Sequence, residues 1–185
     1  MKLSTRPLLL LFFLLNWGLV APTFGINTNS FYMSLFSQKT EIIIKDTAPI
    51  TKTKYELIFN INDERAVAIF HSYTLYYSFF DKLEDLKVYT INPQPGGKSK
   101  RIDIKDFTTN NATSSSVFFD DQKEININFL GLTVGSQAHI EYTVTTSETH
   151  FTDVMYIRSY MPIEKLQYEL IVPKNVHVSF IEKHM

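Results

Sequence analysis

His139 and Glu141 stand two residues apart in a run where polar and apolar side chains strictly alternate. On a strand, residues i and i+2 share a face. An imidazole and a carboxylate would then project side by side and could share a metal ion. A zinc site wants about three to four ligands. Asp120, Asp121 or His150 would have to supply the third, and spacing alone brings none of them there. The default expectation is a solvated strand face, with no metal and no other cofactor. Asp120-Asp121 could lend oxygens to calcium, but such a site takes about six to eight, and no DxDxDG run is present. Adjacent carboxylates also do not face each other across a substrate at the ~5–10 Å that glycosidases use. The pair therefore reads as part of a tight turn, Asp120-Asp121-Gln122-Lys123.

Other segments carry weaker chemical signals. Gly131-Leu132-Thr133-Val134-Gly135 has the spacing of a nucleophile elbow, which places its nucleophile on a strained turn between a strand and a helix. Here Thr holds that position and a strand pattern follows, so the expectation is a glycine-punctuated turn. Gly96-Gly97-Lys98-Ser99-Lys100-Arg101 lacks the full phosphate-loop pattern and its helix, and reads as an exposed basic hairpin tip. Asn111-Ala112-Thr113 is a glycosylation sequon in a polar loop, relevant only in a eukaryotic secretory pathway. Tyr73, Tyr76, Tyr77, Phe79 and Phe80 could form a sugar-stacking platform; at alternating strand positions they are more often core. His71, on an apolar face, is expected as a hydrogen-bonded core histidine.

The whole chain of 185 residues contains no Cys. That removes a thiol nucleophile, a disulfide frame and Cys-based metal sites. The net charge of −1 gives no pull toward nucleic acid or an anionic membrane.

The elements that must position these residues are strands. Residues 1–25 read as a secretion signal: Lys2 and Arg6 in the n-region, an apolar run Leu8–Leu15, then small residues at Thr23 and Gly25. An uncleaved anchor is the alternative, but the run is short for a span of about 20 residues. Residues 26–53 read as a linker or short strand: Glu41–Ile44 could form a strand, whereas Asp46, Pro49 and several Thr read as linker. The folded domain is expected over 54–185. Tyr55, Leu57, Phe59 and Ile61 alternate, Asn62-Asp63-Glu64-Arg65 makes a turn, and Val67 through Phe79 alternates again, so a hairpin with a long second arm is expected. Further strands are expected at Asp85–Ile91, Arg101–Phe107, Val117–Phe119, Glu124–Phe129, Gln137–Thr146, Val154–Tyr160, Leu166–Val172 and Val176–Ile181. Thr108 to Ser116 reads as a loop, and Phe80–Leu86 as the only candidate for a helical turn. About ten short strands and no amphipathic helix indicate an all-β antiparallel sandwich.

The order of several segments resembles a known family. These are Asp85 through Pro93, Gly97-Lys98, Val117 through Asp121, Phe129 through Gly135, Ile140-Glu141-Tyr142, Arg158 through Ile163, and Tyr168 through Pro173. Residues from about Tyr55 to Pro173 resemble domain of unknown function 3857, found in exported bacterial proteins, often of Bacteroidetes type, ahead of a transglutaminase-like domain. The resemblance implies a β-sandwich in the periplasm or cell envelope of a Gram-negative bacterium. In such proteins the catalytic Cys, His and Asp belong to the following papain-like domain, which nothing here matches, so no catalytic residue carries over. The expected role is a non-catalytic accessory module, with a transglutaminase-like domain as partner in cis or in trans. A cell-envelope glycan, held by exposed aromatics, is the alternative partner. No nucleic acid is expected, and membrane contact only through an uncleaved signal.

Overall fold

The computed structural model describes residues 30–45, 48–111, 122–147 and 161–179. The expected signal segment, Asp120-Asp121 (the first half of the expected turn), His150, Val117–Phe119, Val154–Tyr160 and with it the Arg158–Tyr160 part of the family motif lie outside the described residues, as does most of the sequon.

Two sheets face each other across one core. The larger begins with a hairpin of two long strands, β1 (Phe31–Lys45) and β2 (Ala48–Ile61). It is completed by β4 (Asp81–Pro93), β5 (Ser99–Ile104), β8 (Gln137–Thr146) and β9 (Leu166–Ile171), in the order β5-β4-β8-β2-β1-β9. All neighbours are antiparallel except β1 and β9. The smaller sheet takes β3 (Ser72–Ser78), β7 (Gln122–Asn128) and β6 (Thr108–Asn111), in the order β3-β7-β6. A short helix, α1 (Glu64–Phe70), links β2 to β3. The expected antiparallel sandwich is thus present, with nine strands among the described residues.

Alternation builds the core. Leu57, Phe59 and Ile61 of β2, Val88 of β4, and Ala138 and Ile140 of β8 meet Leu75 of β3 and Ile125 and Ile127 of β7. Burying each large aliphatic or aromatic side chain contributes roughly 1.5–3 kcal/mol. The expected strand Gln137–Thr146 matches β8 at both ends. Its period-two pattern survives because it lies inside the sheet, paired with β2 and β4.

Several expectations are corrected. Residues 31–45 are no linker: β1 lies between β2 and β9. The Thr residues that suggested a linker are strand formers, and Thr40 and Thr53 hydrogen-bond across the hairpin at 3.1 Å, both buried. Pro49 is tolerated because it pairs with Ile44 near the hairpin's end. Residues 64–70 form a helix instead of continuing a strand. Asp63 caps it, its Oδ1 accepting from Ala66 N at 2.8 Å. Ala66 and Phe70, one helical turn apart, are both buried. Period two and period 3.6 agree over so short a run, and the cap decides. Phe79-Phe80 form a turn into β4, not a helix. Residues 108–111 pair with β7, and Gln122-Lys123 belong to β7, not to a turn. Beyond β9, residues 176–179 form no strand; a turn in which Val176 N donates to Pro173 O precedes them.

Candidate interaction surface

His139 and Glu141 both project from β8 on the side away from the core, since Ala138 and Ile140 take the inner side. That face was expected to be solvated. Instead His139 is only 7% exposed. Register supplies the reason: Tyr89 of β4 lies directly opposite His139. The two rings stack with centroids 4.5 Å apart and planes within 13°. Arg101, from β5 on the other flank of β4, lays its guanidinium carbon 3.5 Å from the Tyr89 ring centroid. Three flat groups from three adjacent strands thus pile up.

Polar bonds hold the pile in place. Arg101 Nε donates to Asp103 Oδ1 at 2.8 Å. The Tyr89 hydroxyl donates to Glu141 Oε1 at 3.2 Å. His139 Nε2 meets Gln137 Oε1 at 3.4 Å, and Gln137 Nε2 donates to Asn60 Oδ1 at 3.0 Å. Asn60 Nδ2 is buried and unpartnered among the described residues, a cost of about 1–3 kcal/mol. Across the sheet, His139 lies opposite Ile58 and Ile58 opposite Leu35. The outer face therefore carries a band from Tyr89 through His139 and Ile58 to Leu35.

Electrostatics keep this band neutral at its centre. Burial holds the His139 imidazole below its ordinary value; Glu141 opposes the shift and Arg101 adds to it. Burial pushes the Tyr89 phenol up, and the Glu141 charge adds to that. The imidazole packs on Tyr89 with its Nε2 facing an amide oxygen. No three His, Asp or Glu side chains converge into a metal-holding group among the described residues. What the stack presents to solvent is the Arg101 guanidinium, seated on the buried Tyr89 ring; Arg is a side chain enriched at protein interfaces. Period two placed His139 on the outer face. The reason for its burial, Tyr89 with Arg101 behind it, depends on strand order, which the sequence does not display.

The Gly131–Gly135 segment is a braced turn. Gly131 and Gly135 have φ of +68° and +86°, a region costly for other residues. The Ser136 hydroxyl, wholly buried, donates to Asn92 Oδ1 at 2.7 Å and accepts from Thr133 N at 2.9 Å. Asn92 Nδ2 donates to the Gly131 carbonyl at 2.6 Å. Asn92 and Ser136 were not singled out by sequence, although each adjoins a Pro or Gly turn signal.

His71 is hydrogen-bonded, Nδ1 lying 2.7 Å from the Ala68 carbonyl, but it is exposed at the end of α1 and not in the core. The aromatic cluster divides. Tyr73 and Tyr77 pack on the core, whereas Tyr76, Phe79 and Phe80 stand in solvent. Lys98, Lys100 and Arg101 are all exposed as expected, and Arg101 in addition lies over the Tyr89 ring. No helix among the described residues is long and apolar enough to cross a membrane.

No curated protein matches the chain. One solved structure, a protein from Parabacteroides distasonis described as a "putative protease", is similar in fold with a TM-score of 0.64 and 15% identity. The likeness covers 78% of this chain and 29% of that one, so the chain spans under a third of its neighbour's length. The family model described as Domain of Unknown Function with solved-structure structure (DUF3857) matches residues 51–184. β1 precedes that match yet lies inside the same sheet. With most of its length matched, the chain belongs to the DUF3857 family.

Proposed function

We propose that this chain is an exported, non-catalytic module that docks a transglutaminase-like, papain-like domain, in cis or in trans. The outer face of the six-stranded sheet is the docking surface. The Arg101–Tyr89–His139 stack carries this reading. Its two rings are buried, Tyr89 at 9% and His139 at 7% exposed, and its accessible part is the Arg101 guanidinium, seated on Tyr89 and bonded to Asp103, so little rotamer freedom is left to lose on binding. Ile58 and Leu35 extend it as an apolar patch beside a rim of Lys and Glu residues, including Lys54, Glu56 and Lys87. Two further observations support it. The chain has no Cys to serve as the nucleophile of papain-like chemistry. The structural neighbour described as a "putative protease" has most of its length outside the shared fold, which is where protease chemistry would reside.

The reading expects a papain-like domain in the same reading frame or an adjoining one, and no peptide hydrolysis or cross-linking by the purified module. A genome without such a domain nearby, or peptidase activity from the module alone, contradicts it.

A further inference from the structure

We propose that the outward face of the three-stranded sheet binds a neutral glycan. This face lies on the side of the sandwich opposite the docking band and stands independently of it. Tyr73, Leu75 and Tyr77 of β3 turn to the core, as do Ile125 and Ile127 of β7. Their alternates therefore face outward: Thr74 and Tyr76 on β3, Glu124 and Asn126 on β7, Thr108 and Asn110 on β6. Register puts Thr74, Asn126 and Thr108 in one row, and Tyr76, Glu124 and Asn110 in the next. With strands about 4.8 Å apart and a rise of about 3.4 Å per residue, the face is a strip about 20 Å long and about 10 Å wide.

Its composition selects the ligand. Every outward side chain on these strands is a hydroxyl, a carboxamide or a carboxylate, with one aromatic ring and no Lys or Arg. A face without cations does not attract phosphates, nucleic acid or acidic polysaccharide. Tyr76 is 57% exposed and offers an apolar ring face beside polar groups, the pairing that amphipathic ring ligands need. The polar groups are pre-set. Thr74 Oγ1 donates to Asn126 Oδ1 at 2.8 Å, and Asn126 Nδ2 donates to Glu124 Oε1 at 3.3 Å. A carboxamide has two donor and two acceptor positions. These bonds use one of each, and leave an N–H and a lone pair directed by a fixed amide. A sugar hydroxyl both donates and accepts, so it complements that remainder. Thr108 in the same row and Asn110 in the next present the same chemistry, which suits a chain of hexoses better than a single small molecule.

The test is a titration of the isotope-labelled protein with cellohexaose and mannohexaose, with polygalacturonate as the anionic control, followed by amide resonances. At least one neutral hexasaccharide is expected to shift residues 74–76 and 124–126 saturably, more strongly than the polyanion. Tyr76→Ala, at an exposed position, should keep the wild-type unfolding temperature and weaken binding at least tenfold; Asn126→Ala should weaken it comparably. No saturable shift with either neutral sugar, shifts confined to another surface, tighter binding of polygalacturonate, or full binding by Y76A would each overturn the proposal.

Discussion

Tyr89 and His139 show how one register decides the character of a surface. Each alone is an outward strand residue; stacked together, with Arg101 over Tyr89 and Ile58 opposite His139, both are buried. A pH dependence follows. His139 binds its proton less readily in the folded chain than at the ordinary 6.5, chiefly through burial, with the Arg101 guanidinium adding and Glu141 opposing. The unfolded chain takes up the proton first, so protons favour unfolding. The contribution is complete above pH 6.5 and is lost as pH falls through the lower, folded value. Denaturant titrations at pH 7.5 and 5.5 should show the wild type weaker at the lower pH, and His139→Gln should flatten that difference. The buried Ser136 hydroxyl makes a second residue-scale prediction. Ser136→Ala leaves Thr133 N and Asn92 Oδ1 without their bonds and should lower stability by about 1–3 kcal/mol, read as a shift in the denaturant midpoint.

Among the elements, legibility depended on how many signals agreed. β8 was fully legible because alternation ran for ten residues between turn signals. α1 was not, since seven residues hold barely two turns and Val67, Ile69 and His71 satisfy a strand pattern equally well. Asp63 was the available clue, read as a turn residue when it was a cap. The Asp63 carboxyl is held below its ordinary range by the Ser30 side chain and then by Ala66 N. Asp63→Ala removes the cap on Ala66 N and should lower the unfolding temperature. Of β1 only Glu41–Ile44 is legible as a strand: the bulge between Met33 and Leu35 breaks the alternation, so Phe31 and Met33 fall out of phase with Phe36. The Gly131 turn was legible, and its need for glycine is testable. A Cβ there would sit 2.9 Å from Ile102 Cδ1 at a φ of +68°. Gly131→Ala should cost about 1–2 kcal/mol, mostly from the backbone, because the Ile102 side chain can shift.

At the scale of the whole molecule, the sandwich has two outward faces of different chemistry, one aromatic and guanidinium-bearing, the other hydroxyl- and amide-bearing. Family resemblance legibly indicated the sandwich, whereas the candidate site depended on strand order between residues 50 positions apart. The sheet also extends beyond the family match. β1 is the sole partner of β9 among the described residues and one of two partners of β2. A chain beginning at residue 51 should therefore lose β9 docking and cooperative unfolding, whereas one beginning at residue 30 should keep both, as amide spectra and thermal melts would show. The central claim is that the outer face of the larger sheet holds a catalytic partner. Calorimetric titration of a transglutaminase-like, papain-like domain from a protein that carries this family's module ahead of it into the wild type, Tyr89→Ala and Arg101→Ala tests it most directly. Saturable binding by the wild type, weakened at least tenfold in either variant with their folds intact, is the predicted result; no binding, or binding that both variants retain in full, would contradict it.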